Sequence, residues 1–322
     1  MARRGVLLLN FGGPGSLREV RPFLYRLFCD PYVLSGVPAP FRQALAAFIA
    51  VTRSPGSARC YAAIGGGSPQ LRWTKVQAGG LERLLNSGGS AGGEYKVSVG
   101  MRSWDPDIRS GLEELRAWGA EELTLLPLYP QYSFTTTRSS LEEARRQLSR
   151  MGWKPALREV AGWPDNTGYI TLSRSLLEDT LRQAAAAGAE PHVIFSAHSL
   201  PLKTVERGDP YRGEVERTVS ALSRGLSAPW SLAFQSRAGR MRWLEPYLED
   251  ELPRLAAAGV KDLVVCPVSF VSDHIETLWE LDILYAGKAA ELGFRSYRRV
   301  PVFNGDERFF SVLKEVMNDR KA

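Results

Sequence analysis

The chain repeats itself, and this repeat constrains the fold more than any other feature of the sequence. GVLLLNFGGP at 5–14 is similar to HVIFSAHSLP at 192–201, and GAEELTLLPLYPQYS at 119–133 is similar to GVKDLVVCPVSFVSD at 259–273. GWKPALREVAGWPD at 152–165 pairs in the same way with GFRSYRRVPVFNGD at 293–306. Two halves that share their segments in the same order predict one α/β arrangement used twice.

Each half alternates short apolar runs with amphipathic helical patterns. The runs are typical of buried parallel strands, and strands that alternate with helices predict right-handed βαβ crossovers. Two predicted helices carry the sheet-facing stripes Leu112, Leu115 and Trp118, and Leu248, Leu252 and Leu255. We therefore predict an α/β fold of two similar halves, each with a roughly four-stranded parallel sheet flanked by helices, and an active-site cleft between them.

The predicted boundary between the halves is a cluster of Gly, Pro, Asn and Asp at 162–169. The first half then covers residues 1–165 and the second covers 166–322, with the last helix in the second half or packed back on the first. The first half is longer because it carries an insertion at about 30–80, and long insertions in compact domains are usually functional.

The composition of the 322 residues is that of a globular protein with a formal net charge of +6. The basic residues are scattered, so binding to nucleic acid is not expected. The first apolar run is short and leads into a glycine turn, which predicts a strand and a cytoplasmic protein rather than a signal peptide. Cys29, Cys60 and Cys266 lack metal-ligand spacing and are predicted to be reduced, mostly buried thiols.

Two of the three histidines follow apolar runs of the kind that form buried strands. His198 lies in FSAHSLP, and His274 lies in SDHIETLWELD together with Asp273, Glu276 and Glu280. Because the carboxyl ends of parallel strands surround the ligand site, these side chains should converge on a metal-holding or proton-accepting centre. The i, i+4 spacing of the two glutamates predicts an acidic track along one face of a helix. The alternative for each histidine alone is a structural role.

The insertion contains an apolar segment, residues 33–51, whose predicted helical part runs from 41 to 51. It is shorter than the ~20 residues that span a bilayer. It is therefore either buried or a lip, formed by Phe41, Leu45, Phe48 and Ile49, that contacts a membrane or a large apolar ligand. GGGSP at 65–69 and FGGPG at 11–15 lack the spacing of nucleotide-binding motifs. Their glycines favour close backbone approach to a flat ligand.

In chain order, the motifs LNFGGP, GGGSP, LYPQYS, FSAHSLP, FQSRAG followed by RWLEP, and SDHIETLWELD closely resemble those of the ferrochelatase family. The resemblance extends from about residue 8 to residue 304. It implies two flavodoxin-like halves around a cleft, and a lyase that inserts Fe(II) into protoporphyrin IX with release of two protons. Protohaem would be the product, at the last step of haem biosynthesis.

The resemblance also implies roles for individual residues. His198 and Glu276 would be catalytic and contact the metal, and His274, Asp273 and Glu280 would carry metal or protons. Porphyrin would contact Phe11, Arg53, Tyr61, Ser68, Arg102, Tyr132, Trp243 and Phe270. Arg53 and Arg102 suit the propionates, since guanidinium pairs well with carboxylate.

Departures from the family pattern set further expectations. Phe134 stands where animal relatives have cysteine, and no cysteine-rich extension follows, so no iron–sulfur cluster and no cofactor beyond the substrate Fe(II) are expected. A monomer or a weak homodimer is expected. Leu284 replaces a third acidic residue of the track, and Ser103 replaces a tyrosine. The alternatives are a chelatase for coproporphyrin, cobalt or nickel, a non-catalytic haem or porphyrin carrier, and a nucleotide-binding protein of flavodoxin type.

Overall fold

The structure is a computed structural model that describes residues 2–87, 93–239 and 241–319. The chain divides into two compact units. Unit 1 comprises Met1–Gly162 and Asn304–Ala322, and unit 2 comprises Trp163–Phe303. The C-terminal residues therefore belong to the same unit as the N-terminal half.

Unit 1 contains a four-stranded parallel sheet in the order β2-β1-β3-β4. The strands are β1 (Arg3–Asn10), β2 (Glu94–Met101), β3 (Glu122–Pro127) and β4 (Ala156–Glu159). The helices are α1 (Val20–Phe28), α2 (Ala39–Ala63), α3 (Gln70–Asn86), α4 (Ile108–Trp118), α5 (Ser139–Met151) and, at the C-terminus, α11 (Glu307–Asn318). A short 3-10 helix, Leu17–Glu19, precedes α1, and a π-helical turn, Phe134–Arg138, precedes α5.

Unit 2 repeats this sheet in the order β6-β5-β7-β8, again with all strands parallel. The strands are β5 (His192–His198), β6 (Trp230–Gln235), β7 (Asp262–Pro267) and β8 (Ser296–Arg299). The helices are α6 (Thr167–Ala186), α7 (Leu202–Glu206), α8 (Tyr211–Ser223), α9 (Leu248–Ala257) and α10 (Ala286–Glu291), and a π-helix, Glu276–Tyr285, leads into α10. The predicted fold class, two similar α/β halves with four-stranded parallel sheets, is confirmed.

The cores form where the strands are apolar on both faces, as parallel sheets covered by helices require. Leu7 and Leu9 of β1 pack with Leu112 and Leu115 of α4, and all four are buried. Ile194 packs in the same way with the predicted stripe of α9, whose leucines are also buried. Trp118, the third residue of the first stripe, is only half-buried.

Helix α11 packs on α3 where the Phe310 ring faces Gly80. A Cβ added at Gly80 would lie 2.5 Å from Cζ of Phe310, so the glycine leaves room for the aromatic ring. The Phe310 side chain is buried at this contact. Through this packing the last helix belongs to unit 1.

The structure corrects three predictions of local structure. The helical part of the insertion is not limited to residues 41–51, because α2 continues to Ala63 through Pro55. The glutamates of SDHIETLWELD lie on a π-helix rather than an α-helix. Of the three free thiols only Cys266 is buried, while Cys29 and Cys60 are half-buried. Among the described residues, no helix is both long and apolar enough to span a bilayer.

Candidate active site

His198 and Glu276 form a hydrogen-bonded pair in unit 2. His198 is the last residue of β5, where the strand pairs with Gln235 at the end of β6. Glu276 is the first residue of the π-helix that follows β7. Nδ1 of His198 donates to Oε2 of Glu276 over 2.8 Å, and the two side chains are 34% and 24% exposed. The pair is thus recessed but open to solvent, as a site for an exchanging ligand must be.

The contact between His198 and Glu276 favours an ion pair. Burial alone would lower the pKa of His198, but the charge and hydrogen bond of Glu276 outweigh it and raise that pKa. Burial would raise the pKa of Glu276, and the nearby imidazolium outweighs this effect and lowers it. Each partner therefore stabilises the charged form of the other. His198 is held as a basic group beside an ionised carboxylate.

Glu280 is joined to this pair through Ser236. The Ser236 hydroxyl donates to Oε2 of Glu280 over 2.5 Å and lies 3.4 Å from Oε2 of Glu276. Gln235 adds a second donor, with Nε2 at 2.7 Å from the same Glu280 oxygen. Ser236 has a φ of 70°, a left-handed conformation that is uncommon for a serine. Such backbone strain clusters at functional sites, and here it brings one hydroxyl between two carboxylates.

Glu280 favours its protonated form, whereas Glu276 favours its ionised form. Burial, and then the negative charge of Glu276, raise the pKa of Glu280 to about 7. Near neutral pH, Glu276 is therefore ionised and Glu280, four residues later, is partly protonated. Titratable pairs whose environments separate their pKa values are typical of acid–base chemistry.

His274 lies beside the pair as a neutral imidazole. Its Nδ1 is 3.0 Å from the carbonyl oxygen of Ser272, so Nδ1–H donates there and Nε2 keeps its lone pair. Nε2 is 3.9 Å from Oε2 of Glu276, and the ring meets Phe270 edge-on at a centroid distance of 4.6 Å. Burial lowers the pKa of His274 despite the opposing charge of Glu276. A neutral imidazole with a free lone pair is a metal ligand or a base.

The π-helix changes the predicted acidic track. Its hydrogen bonds run from i to i+5, and such segments are frequent at functional sites. Glu276 and Glu280 still share one face, because both approach Ser236. The two carboxylates therefore meet at the Ser236 hydroxyl, rather than forming a row along the helix axis. Leu284, the third position of the track, is half-buried.

Asp273 makes different contacts from the other predicted acids. Its carboxylate lies 3.2 Å from Nη2 of Arg299, and its Oδ1 accepts a hydrogen bond from the Thr277 hydroxyl over 2.9 Å. Asp273 is thus part of an ion pair at the start of the π-helix. Among the residues that the structure describes, no group of three or more His, Cys, Asp and Glu side chains is arranged to hold a metal ion.

The site motifs and both sheets match known proteins. The family model for ferrochelatase matches residues 3–321. The chain belongs to the ferrochelatase family. A ferrochelatase of Synechococcus sp. strain JA-3-3Ab is 43% identical over 97% of this chain and 92% of its own length. One from Nostoc punctiforme is 42% identical over 99% of the chain and 82% of its own length.

This membership confirms the resemblance found in the motifs, and with it the prediction of an enzyme, a metal chelatase of the lyase class. Two solved structures share the fold. SirB of Bacillus subtilis with Fe³⁺ has a TM-score of 0.54 at 12% identity, covering 99% of this chain and 94% of its own. A cobalt complex of the sirohydrochlorin chelatase SirB from Bacillus subtilis subspecies spizizenii has a TM-score of 0.52 at 10% identity, covering 100% and 97%.

Two glycine motifs of the ferrochelatase family pack against each other in unit 1. The Ser68 amide donates to the Pro14 carbonyl over 2.7 Å. A Cβ at Gly13 would lie 2.7 Å from Cβ of Ser68, and one at Gly67 would lie 2.7 Å from the carbonyl carbon of Gly15. The glycines of FGGPG and GGGSP therefore permit two loops to approach each other closely. From the sequence, the same glycines were expected to permit close approach to a flat ligand.

The predicted porphyrin contacts of unit 1 differ in how they are held. Tyr61 is buried, and Phe11 and Tyr132 are half-buried. Arg53 is exposed, with its guanidinium 5.9 Å from the centroid of the Phe28 ring.

Arg102 is already paired inside unit 1. Its Nη2 lies 2.9 Å from the fully buried carboxylate of Asp30, and its Nε donates to the Ser139 hydroxyl over 2.7 Å. The sequence suggested a porphyrin propionate as the partner of Arg102, and it did not indicate the ion pair with Asp30.

Two predicted porphyrin contacts belong to unit 2. Phe270 touches His274, as described above, and therefore lies at the His198–Glu276 pair. Trp243 is fixed by its indole N–H, which donates to the carbonyl of Ala238 over 2.8 Å. That hydrogen bond joins the Trp243 side chain to the backbone two residues after Ser236.

Sequence reasoning missed Gln235, Ser236 and Arg299. The first two lie inside the motif FQSRAG, which was noted for the family without roles for its residues. Their signal was their place directly after a predicted strand. Arg299 had no such signal, because it is one of 41 basic residues and lies in an ordinary strand pattern.

Proposed function

We propose that this chain inserts Fe(II) into protoporphyrin IX and releases protohaem and two protons. The observation that carries the proposal is the His198–Glu276 pair, in which the histidine of FSAHSLP and the glutamate of SDHIETL meet over 2.8 Å. Two motifs 78 residues apart in the chain thus form one site in a member of the ferrochelatase family.

The proposed roles follow from the charge state of each group. Metal insertion brings two positive charges in and releases two pyrrole protons, so the site needs a metal-attracting carboxylate and proton acceptors. Ionised Glu276 attracts Fe(II). In its neutral form His198 donates Nδ1–H to that carboxylate, and its Nε2, made more basic by this hydrogen bond, accepts a pyrrole proton. Glu280 titrates near neutrality and takes up and releases protons through Ser236. His274 offers a neutral nitrogen to the metal.

Substrate choice is tested with a panel of metals and tetrapyrroles. Purified protein is mixed anaerobically with Fe(II), Co(II) or Ni(II) and with protoporphyrin IX or coproporphyrin III, and product spectra are followed. We expect the highest kcat/KM with Fe(II) and protoporphyrin IX. Faster turnover of coproporphyrin or another metal would replace the proposed substrate, and tight porphyrin binding without turnover would favour a carrier.

We also propose that the insertion contacts a membrane surface. Phe41, Phe48 and Val51 on α2 are 69%, 66% and 47% exposed, and Leu45 between them is 37% exposed. Ile49, which was predicted to join them, is half-buried. Between Asp30 and Glu82 the sequence has five basic residues and no acidic residue. An exposed apolar stripe in a basic segment suits the interface of an anionic bilayer.

Sedimentation with vesicles tests this contact. Wild-type protein should co-sediment with phosphatidylglycerol-containing vesicles and less with purely zwitterionic ones. Phe41→Glu with Phe48→Glu should lose this binding without lowering the midpoint of thermal unfolding, because both side chains are exposed. Leu157→Glu, an exposed leucine of β4 outside the insertion, is the matched control and should bind as wild type. Unchanged vesicle binding by the double variant would refute the contact.

The remaining expectations are proposals of the same kind. We propose a cytoplasmic protein that works without an iron–sulfur cluster or other cofactor, as a monomer or weak homodimer, and that does not bind nucleic acid. Analysis of iron and acid-labile sulfide in the purified protein checks the first part. Light scattering at several concentrations checks the oligomeric state.

A further inference from the structure

Four carboxylates lie within the ten residues that run from just before the π-helix into its second half. Asp273, Glu276, Glu280 and Asp282 would repel one another, and each would compete for a cation that reaches the site. Chemistry at Glu276 and Glu280 requires that the two aspartates be neutralised or turned away. The contacts of Arg299 show how this is done.

Arg299 ends β8 and binds both aspartates. Its Nε and Nη2 donate to the two oxygens of Asp282 over 2.6 and 2.9 Å, which is the bidentate geometry that a planar guanidinium favours. Its Nη2 also lies 3.2 Å from Oδ1 of Asp273. The side chains of Arg299 and Asp273 are only 12% and 16% exposed, so their ion pair is poorly screened by solvent. The side chain of Asp282 is 34% exposed.

The two aspartates bracket the two glutamates in the chain. Asp273 precedes the π-helix and accepts the Thr277 hydroxyl, which also receives the backbone N–H of His274 over 3.1 Å. Asp282 lies two residues after Glu280. A single guanidinium on the sheet therefore fixes both ends of the segment that presents His274, Glu276 and Glu280.

We propose that Arg299 is a positioning residue that sorts the four carboxylates. It binds Asp273 and Asp282 against β8, and it leaves Glu276 and Glu280 for the metal and the protons. The inference rests on the proposed iron insertion. Without Arg299, the carboxylate of Asp273 becomes a second hard oxygen donor next to His274, and Fe(II) is retained where it must pass on.

The test separates charge sorting from simple stabilisation. Arg299→Met should lower kcat for iron insertion at least tenfold, with the KM for protoporphyrin changed less than threefold. Adding Asp273→Asn to Arg299→Met removes the released carboxylate and should restore kcat at least fivefold. Arg299→Lys keeps the charge without the bidentate fork and should remain within fivefold of wild type.

Arg217→Met is the matched control, because Arg217 binds Asp165 of the same unit with two 2.7 Å hydrogen bonds but is 55% exposed. It should behave as wild type. The inference is refuted if Arg299→Met is as active as wild type, or if the added Asp273→Asn restores nothing. Should Arg299→Met not fold, Arg299→Gln with and without Asp273→Asn gives the same comparison. Inactive wild-type protein would refute the proposed function itself.

Discussion

Gly67→Ala tests whether the packed glycine loops of unit 1 position Ser68 for porphyrin. A Cβ at Gly67 would lie 2.7 Å from the carbonyl carbon of Gly15 and 3.2 Å from the carbonyl oxygen of Pro14. Carbon atoms in contact prefer about 3.5–4.0 Å, so the loops must separate by roughly 1 Å. The clashing atoms belong to the backbone and cannot rotate away.

The cost has two parts. The hydrogen bond from the Ser68 amide to the Pro14 carbonyl, now 2.7 Å long, would be stretched beyond hydrogen-bond range, which costs about 0.5–1.5 kcal/mol. Overpacking adds about 1–3 kcal/mol. We therefore expect Gly67→Ala to lower the free energy of unfolding by about 1.5–4.5 kcal/mol. Since Ser68 moves with its loop, we also expect the KM for protoporphyrin to rise at least tenfold.

Denaturant titrations and steady-state kinetics at varied porphyrin concentration measure both effects. Gly15→Ala is the matched control, because the nearest atom to its Cβ is Oε2 of Glu19 at 3.4 Å, an ordinary contact. It should stay within threefold of the wild-type KM. Wild-type stability and KM in Gly67→Ala would refute the role of the two loops.

The remaining predictions concern the active site. His198→Ala should lower the kcat for iron insertion at least hundredfold, because a general base typically contributes about 10²–10⁴-fold to the rate. Substantial turnover by the folded variant would exclude that role. Glu276→Gln should reduce kcat more than Glu280→Gln, because only Glu276 holds His198; equal kcat values for the two variants would argue against this order. The raised pKa of Glu280 favours its protonated form in the folded state, so its contribution to stability is present below pH 4.5 and is lost as pH rises through about 7. In denaturant titrations, Glu280→Gln should be roughly 1–3 kcal/mol more stable than wild type at pH 8 and similar to it at pH 5, and a gain independent of pH would contradict this.

The sheets could be predicted because their signal is local and repeated. Apolar runs such as VIF before His198 indicate buried strands, and the same pattern in the other half supports each assignment. The position of His198 at a strand end follows from that pattern alone. The register and the shared order of the two sheets agree with the repeat, since Leu9 pairs with Pro127 as Ser196 pairs with Pro267.

Other parts of the site could not be predicted because they depend on long-range contacts. The i, i+4 spacing of Glu276 and Glu280 is compatible with an α-helix and with the π-helix observed. Nothing in the neighbours of Ser236 indicates a left-handed backbone. The ion pairs of Arg102 with Asp30 and of Arg299 with Asp282 depend on how the chain folds, and charge patterns do not indicate which aspartate each arginine binds.

One anaerobic assay tests the central claim most directly. Purified wild-type protein and His198→Ala are mixed with Fe(II) and protoporphyrin IX, and the absorption spectrum of protohaem is followed with time. Wild-type protein should form protohaem catalytically, with many turnovers per active site, and His198→Ala should form it no faster than the reaction without protein. Absence of protohaem with the folded wild type, or equal rates for both proteins, would contradict the account.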